Sequence, residues 1–279
     1  MPLASVDGIE IYYEVAGETE APTLVLLSGG GAQLIAWPAE LVELLVGHGL
    51  RVVRMDNRDT GRSQRFGGPE DIDGGYELSD LADDVVRVLD DLGVAAAHLV
   101  GHSMGAMMAQ LVALDHPGRV QSLGLISSIP RRDPRYVLHG DRPELRTAPP
   151  RFTREQVVAA AASYARSATP KRYDPRVAWH EWAAGEAYDR GYAPDGFARQ
   201  WSALLRAPDR LERLRGVTVP TFVFHGRDDD VVHWSASVDT AEAIEGAELQ
   251  IHPDMGHLIV WELWPELVGA IVRTIRRAG

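Results

Sequence analysis

Ser103 lies in "LVGHSMGA", where Gly101 and Gly105 complete a G-x-S-x-G pattern. A serine hydroxyl is nearly inert near neutral pH. To act as a nucleophile it needs an imidazole to take its proton and a carboxylate to orient that imidazole. The chain supplies both further on, in the order Ser, Asp, His: "GRDDD" carries Asp228, Asp229 and Asp230, and "PDMGH" ends in His257. That order and those residue types suit covalent acyl transfer.

Each of these side chains has to be delivered by an element. Ala97 to Val100 reads as a short strand, and Met104 to Leu114 is apolar enough for a helix buried on most sides. Ser103 therefore falls on a strand-to-helix turn. Glycines on either side let strand and helix approach closely and hold the hydroxyl out at the carboxyl edge of a sheet. Outside that context the pentapeptide would be only a tight turn.

Three consecutive carboxylates cannot all be buried beside one imidazole without strong repulsion. One or two residues are needed to turn out of the strand "TFVFHG", which favours Asp229 over Asp228 as the orienting acid and leaves the others solvated or capping a helix. His257 follows Gly256, whose backbone freedom can aim it at Ser103. Its rival His252 ends the strand Glu248 to His252, where the pleat fixes its direction. His102 is expected to point away from the nucleophile, and His225 to pack at a strand end.

Strand-like and helix-like runs alternate through the first half, the signature of a parallel sheet wrapped by helices. Ile9 to Val15 alternates like an edge strand; Thr23 to Leu27, Arg51 to Met55 and Val120 to Ile126 read as strands too. Helical spacing covers Trp37 to Val46, Leu78 to Leu92, Ser235 to Ile244 and about Leu258 to Arg277. From Pro130 to Gly216 strands vanish while Arg, Pro and Ala rise. The chain thus divides into a core, 1–129 with 217–279, and a helical insertion, 130–216. Trp179, Trp182, Trp201 and tyrosines including Tyr136, Tyr164, Tyr188 and Tyr192 lie in that insertion, where they would line an apolar pocket or pack it onto the core.

The length of 279 residues suits one large α/β domain with an insertion. Acidic residues outnumber basic ones, 40 against 28, for a net charge of -12. Such a field repels phosphate backbones and anionic membranes, so neither nucleic acid nor a membrane is an expected partner. With no cysteine, disulfides and thiolate zinc sites are impossible. The start lacks the pattern of a secretory leader and no run reaches bilayer length, which predicts a cytoplasmic protein.

The glycine cluster "SGGGAQ", Ser28 to Gln33, follows the Thr23 to Leu27 strand and could cradle a phosphate. As a dinucleotide loop it fails, because the third glycine would fall at Leu34; as a P-loop it fails, because no Gly-Lys-Ser/Thr follows. Around His225, Asp228 to Asp230 and His233 the spacing matches no defined metal site. No cofactor and no metal are expected.

Taken together, "SGGG", "WP", "VVRMDNRDTGRS", "VGHSMGA" and "PDMGH" resemble α/β-hydrolase-fold serine esterases, over nearly the whole chain outside 130–216. Within that superfamily they resemble the aclacinomycin methylesterase type, which removes a methyl ester from an anthracycline-like polyketide. Asp59 is the discriminating residue, since most relatives carry glycine there. The resemblance implies an α/β-hydrolase fold: a mostly parallel twisted sheet with helices on both faces and a helical cap inserted after the sixth strand, over Ser103. It implies a carboxylic ester hydrolase with Ser103 as nucleophile, His257 as base and Asp229, at the acid of the family's G-x-x-D, as the orienter. The oxyanion donors would be the N–H groups of Met104 and, in the glycine loop, Gly30. The implied substrate is a small-molecule ester, apolar or aromatic. The sequence departs from the family in carrying Ser28 where histidine is common, which leaves a main-chain donor untouched. A lactonase, a C–C bond hydrolase or a perhydrolase would use the same three residues, and a non-turnover small-molecule receptor would keep the fold. Serine at the elbow excludes relatives with an aspartate nucleophile. Asp56 to Ser63 is expected to shape a loop, with Arg58 and Asp59 pairing locally.

Overall fold

Every residue of Thr23–Leu27 is buried, as a run without charge between two layers of helices requires. Leu24 and Leu26 pack with one face of the sheet, Val25 and Leu27 with the other. In the computed structural model, which describes residues 3–138 and 147–279, this run is the third of eight strands. They are β1 (Leu3–Val6), β2 (Ile9–Ala16), β3 (Thr23–Leu27), β4 (Arg51–Met55), β5 (Ala97–His102), β6 (Val120–Ile126), β7 (Thr221–Gly226) and β8 (Glu248–His252). The sheet order is β1-β2-β4-β3-β5-β6-β7-β8. All pairings from β4 to β8 are parallel, and only β1–β2 and β2–β4 are antiparallel. The carboxyl ends of β3, β5, β7 and β8 therefore share one edge, and the order reverses direction between β3 and β5. That is where an open α/β sheet leaves a crevice.

The helices are α1 (Ala39–Gly47), α2 (Leu78–Asp91), α3 (Met104–Asp115), α4 (Arg154–Ala168), α5 (Val177–Gly191), α6 (Pro194–Arg206), α7 (Leu211–Leu214), α8 (Ser235–Ala243) and α9 (Trp264–Ala278). α2, α3 and α8 pack on one face and α1 and α9 on the other, giving two apolar layers. α3 is buried along nearly its whole length, which explains why its sequence shows no polar stripe. α4 to α7 all lie between β6 and β7, as the expected insertion requires. Residues 139–146 of the 130–216 segment, and residues 1–2, lie outside the described residues.

Two expectations need correction. Ile9 to Val15 is not an edge strand, because β1 pairs along it with Val6 opposite Ile9. Asp7 and Gly8 join them with φ of 54° and 76°, the two-residue turn that suits a twisted hairpin. β1 has only four residues with Ala4 alone buried, too short for alternation to register. The last helix begins at Trp264 rather than near Leu258. Pro265 is tolerated in its first turn, where no backbone donor is required, while Leu258 and Ile259 turn into the wall of a cavity described below.

Candidate active site

Ser103 joins β5 to α3 with φ 55° and ψ −119°, a left-handed backbone that a residue with a side chain rarely adopts. Its conformation is over-determined by what surrounds it. The Ser103 N–H donates to the Ile126 carbonyl at 2.9 Å, and the Ser128 hydroxyl donates to the Ser103 carbonyl at 2.8 Å. A Cβ on Gly101 would lie 2.3 Å from the Gly105 backbone, and one on Gly105 would lie 2.2 Å from the Leu27 carbonyl oxygen. The elbow can form only with glycine at both positions.

Asp229 is buried, while Asp228 and Asp230 are exposed. Its Oδ1 accepts the N–H groups of Val231 at 2.9 Å and Val232 at 2.8 Å. Its Oδ2 accepts from His257 Nδ1 at 2.8 Å and lies 3.2 Å from His225 Nε2. Burial pushes the carboxyl up, but the hydrogen bonds from His225 and His257 overcome it and hold Asp229 well below the usual carboxylate range. It is ionised at any working pH. With Nδ1 committed to Asp229, His257 presents Nε2 as the free acceptor.

Two other histidines support this pair. His225 Nε2 also lies 3.1 Å from the Val232 carbonyl, so this nitrogen carries the proton, and the Ser237 hydroxyl donates to Nδ1 at 2.6 Å. The expected packing residue is thus a second donor to Asp229. His102 directs Nε2 to the His257 carbonyl at 2.8 Å, and the two rings lie 4.9 Å apart. Burial, then the neighbouring His257, push the His102 imidazole down to about 3, so it stays neutral and tethers the loop that carries His257. His252, the rival base, stacks on Phe224 at 4.2 Å and lines neither cavity at Ser103.

The glycine loop lies beside the elbow because β3 and β5 pair in register, with Leu27 opposite Gly101. Gly30, Ser103, Met104 and His257 border one cavity. The Met104 N–H is the first of α3 and has no carbonyl a turn behind it to bond within the helix. Ser28 donates its hydroxyl to the Gln33 carbonyl at 3.3 Å, and its own carbonyl accepts from Asn57 Nδ2 at 3.2 Å.

Two cavities meet at Ser103 and His257. The larger, about 390 Å³, is walled by Trp37, Trp179, Trp261 and Trp264, with Ala183 and Ala187 of α5 giving a low-relief face. Trp179 meets Trp261 edge-on at 4.9 Å, and Trp261 stacks on Trp264 at 5.0 Å. The smaller, about 170 Å³, is closed by Val137, Phe197, Trp201, Leu204 and Val231. Both functions foreseen for the aromatic residues of the insertion occur. Trp179 and Trp201 line cavities, whereas Tyr136 packs onto the core, buried with its hydroxyl on the Asp239 carboxylate of α8; Tyr188 does neither and stacks on Tyr192 at 4.6 Å within the insertion. Trp182 and Tyr164 are exposed.

Residues 22–262 match the family model described as alpha/beta hydrolase fold. The chain belongs to this family. Among curated relatives, it is 31% identical over 254 residues to RutD of Variovorax paradoxus, a protein assigned as a carbamate hydrolase, covering 88% of this chain and 89% of that one. It is 40% identical over 117 residues to the rhodomycin D methylesterase DauP of Streptomyces sp. strain C5, covering 42% of this chain and 38% of the methylesterase. The methylesterase resemblance read from the motifs is therefore present in part of the chain. Among solved structures, the enol-lactonase of Burkholderia xenovorans LB400 superposes with a TM-score of 0.75 at 24% identity, over 99% of this chain and all of that one, which shows the shared fold.

In this hydrolase-fold chain the Asp56 to Ser63 segment departs from expectation. Arg58 and Asp59 do not pair with each other. Arg58 forks onto Asp84 of α2 at 2.6 and 2.8 Å, while Asp59 accepts from Arg199 of α6 at 2.8 Å, Tyr76 at 2.7 Å and the Phe66 N–H at 3.0 Å. Asp59 has φ 68°, so the chain turns between them and sends the two side chains to different elements. Asp56 joins the same pattern, accepting from the Leu34 N–H at 2.8 Å and from Arg190 of α5 at 2.6 Å. Burial, the largest influence, raises the Asp56 carboxyl against these bonds. The loop is shaped as expected, but by charges that reach into the insertion. Arg190, Arg199 and Gln200 carried no signal beyond the i, i+4 spacing of Asp195 and Arg199, which do pair at 2.9 Å. Among the described residues no group of three or more His, Asp or Glu side chains could hold a metal ion, and no helix is long and apolar enough to cross a membrane.

Proposed function

We propose that this chain is a serine hydrolase of carboxylic esters acting through an acyl-enzyme. Ser103 Oγ attacks the ester carbonyl while His257 Nε2 takes its proton. Asp229 holds His257 Nδ1–H and stabilises the imidazolium. The N–H groups of Gly30 and Met104 receive the oxyanion. His257 returns the proton to the leaving alcohol, and the same base then activates water to release the acid. One observation carries the reading: the ionised, buried Asp229 grips His257 Nδ1 at 2.8 Å, and His257 shares both cavities with the strained Ser103.

The residues 130–216 act as a cap over a core of 1–129 and 217–279, since α5 and α6 supply walls to both cavities. The tryptophan-walled lobe suits the apolar, ring-bearing part of an ester and the small lobe a short group such as methyl. Together with the partial similarity to DauP this favours a methyl ester of an aromatic, polyketide-like compound. A second reading, carbamate hydrolysis on the same three residues, is favoured by the similarity to RutD over 88% of the chain. Purified protein is expected to cleave p-nitrophenyl acetate and to be labelled by a phosphonate at Ser103, with both lost in Ser103→Ala. An unchanged rate in that variant would defeat the mechanism. Matched aromatic methyl esters and aromatic carbamates, compared by kcat/KM, separate the two substrate readings.

A further inference from the structure

We infer that Gln200, on α6 of the insertion, is a positioning residue that holds the glycine loop in the shape that aims the Gly30 N–H into the site. This rests on the reading of Gly30 as an oxyanion donor. Gln200 is fully buried, and both ends of its amide are engaged. Oε1 accepts the Gly31 N–H at 2.8 Å and Nε2 donates to the Arg58 carbonyl at 2.7 Å. Since a carbonyl accepts only from the NH₂ end, the amide has one orientation, and its oxygen must face Gly31.

The loop needs such a hold. The Ala32 N–H bonds the Gly29 carbonyl at 3.2 Å, closing a four-residue turn with Gly30 and Gly31 at its centre. Gly31 has φ 71° and Gly30 lies outside the positive region, the arrangement of a type II turn. A type I turn differs from it mainly by a flip of the central peptide, and two glycines oppose that flip with no side chain. The N–H of that central peptide is the Gly31 N–H that Gln200 grips. A flip would break the bond and swing the Gly30 carbonyl to where that N–H stood, disturbing the adjoining Gly30 N–H.

A second hold acts on the far end of the loop from α5. Gln33 Nε2 donates to the Ala187 carbonyl at 2.7 Å, and its Oε1 accepts from Arg190 at 2.9 Å. At the start of the loop the side chain of Ser28 contributes a 3.3 Å bond to the Gln33 carbonyl, within the loop itself, and only its main-chain carbonyl reaches outside, to Asn57 Nδ2 at 3.2 Å. Where relatives carry histidine, this chain anchors the loop from the insertion instead, so seating α5 and α6 and shaping the anion hole are one event.

The test uses Gln200→Met, which keeps length and removes both polar ends, and Gln200→Glu, which keeps an acceptor for Gly31. With p-nitrophenyl acetate, Gln200→Met is expected to lower kcat on the order of 10- to 100-fold with KM within about twofold, because only the charged transition state uses the hole. Inhibition by a trifluoromethyl ketone, whose adduct carries the oxyanion, should weaken in parallel, and Gln200→Glu should retain more of both. Amide hydrogen exchange on the unaltered protein should show Gly31 protected and Gly30 not, with Gly31 protection lost in Gln200→Met. A raised KM with kcat intact, or unchanged ketone affinity, would overturn the inference. Gly31 exchanging as fast as Gly30 in the unaltered protein would overturn it even if the Met variant fails to fold. Absence of phosphonate label at Ser103 would instead overturn the esterase reading, and exchange would still decide the clamp.

Discussion

Asp229→Asn alters a carboxylate on which four N–H groups converge: Val231 and Val232 on Oδ1, His257 and His225 on Oδ2. An asparagine of the same shape has one oxygen and one NH₂. If the NH₂ takes the Oδ2 position it meets the protonated nitrogens of two histidines; if it takes Oδ1 it meets two main-chain donors. Either placement sets donor against donor, and the least disruptive escape is for His257 to carry its proton on Nε2, where it can no longer accept from Ser103. The comparable tautomer change in a serine protease lowers kcat by about 10⁴, or roughly 5.5 kcal/mol of barrier. We expect a fall of about 10³ to 10⁴ in kcat for p-nitrophenyl acetate, with the exposed Asp228→Asn within about twofold of the parent. Stability gives a second readout. The folded carboxyl lies below the unfolded value of about 3.9, so its contribution is full at neutral pH and fades as pH falls through the folded value. The deficit of Asp229→Asn in urea melts should therefore be largest near pH 7 and shrink below about pH 4. A loss in kcat under tenfold, or an equal loss in Asp228→Asn, would refute the assignment of the acid.

Other perturbations follow from single contacts. Burial pushes the His98 imidazole down to about 4, so between that value and the unfolded 6.5 the unfolded chain binds more protons and stability falls as pH drops. Relative to His98→Gln, the parent should lose about 2 kcal/mol between pH 7.5 and pH 5 in urea melts; a constant difference would refute this. Arg199→Met removes the ion-pair partner of the fully buried Asp59, while Asp195 keeps Arg151 at 2.7 Å, and should destabilise by about 3–5 kcal/mol in the same assay. Gly105→Ala drives a Cβ to 2.2 Å from the Leu27 carbonyl and should lower stability by at least about 2 kcal/mol, read as a fall in Tm. Trp201→Ala enlarges the 170 Å³ lobe and should raise the kcat/KM ratio of butyl to methyl esters at least about tenfold.

What could be read from the sequence was what local pattern encodes. β3, β4, β6 and β8 have the bounds their apolar runs suggest, and Ser103, Asp229 and His257 were singled out because each follows the carboxyl end of such a run with a glycine nearby. Repulsion among three carboxylates implied that only one is buried, and the residues needed to turn out of β7 favoured Asp229, which is the buried one. Partners across the fold were not visible. Gln200 lies 169 residues from Gly31 and Arg199 lies 140 from Asp59, and neither periodicity nor turn chemistry reports which buried polar groups meet at such separations. Asp59 stood out as a motif residue, yet its partner was misassigned because neighbours in sequence are natural candidates until the turn between them is known. β1 was missed despite a plain Asp-Gly signal, since its four residues bury too little to show a pattern.

The pairing of Leu27 with Gly101 has a consequence for how such a protein can change over generations. Both candidate oxyanion donors belong to the main chain, so among substitutions only proline, which has no N–H, can delete either one. What can be lost is their spacing, which depends on the ladder between two adjacent strands and on the small residues that let them close up. A saturation mutagenesis map should therefore look almost blank at Met104 with respect to side-chain chemistry and intolerant at Gly101 and Gly105. The inheritance of the chemistry would be written in volumes rather than in functional groups.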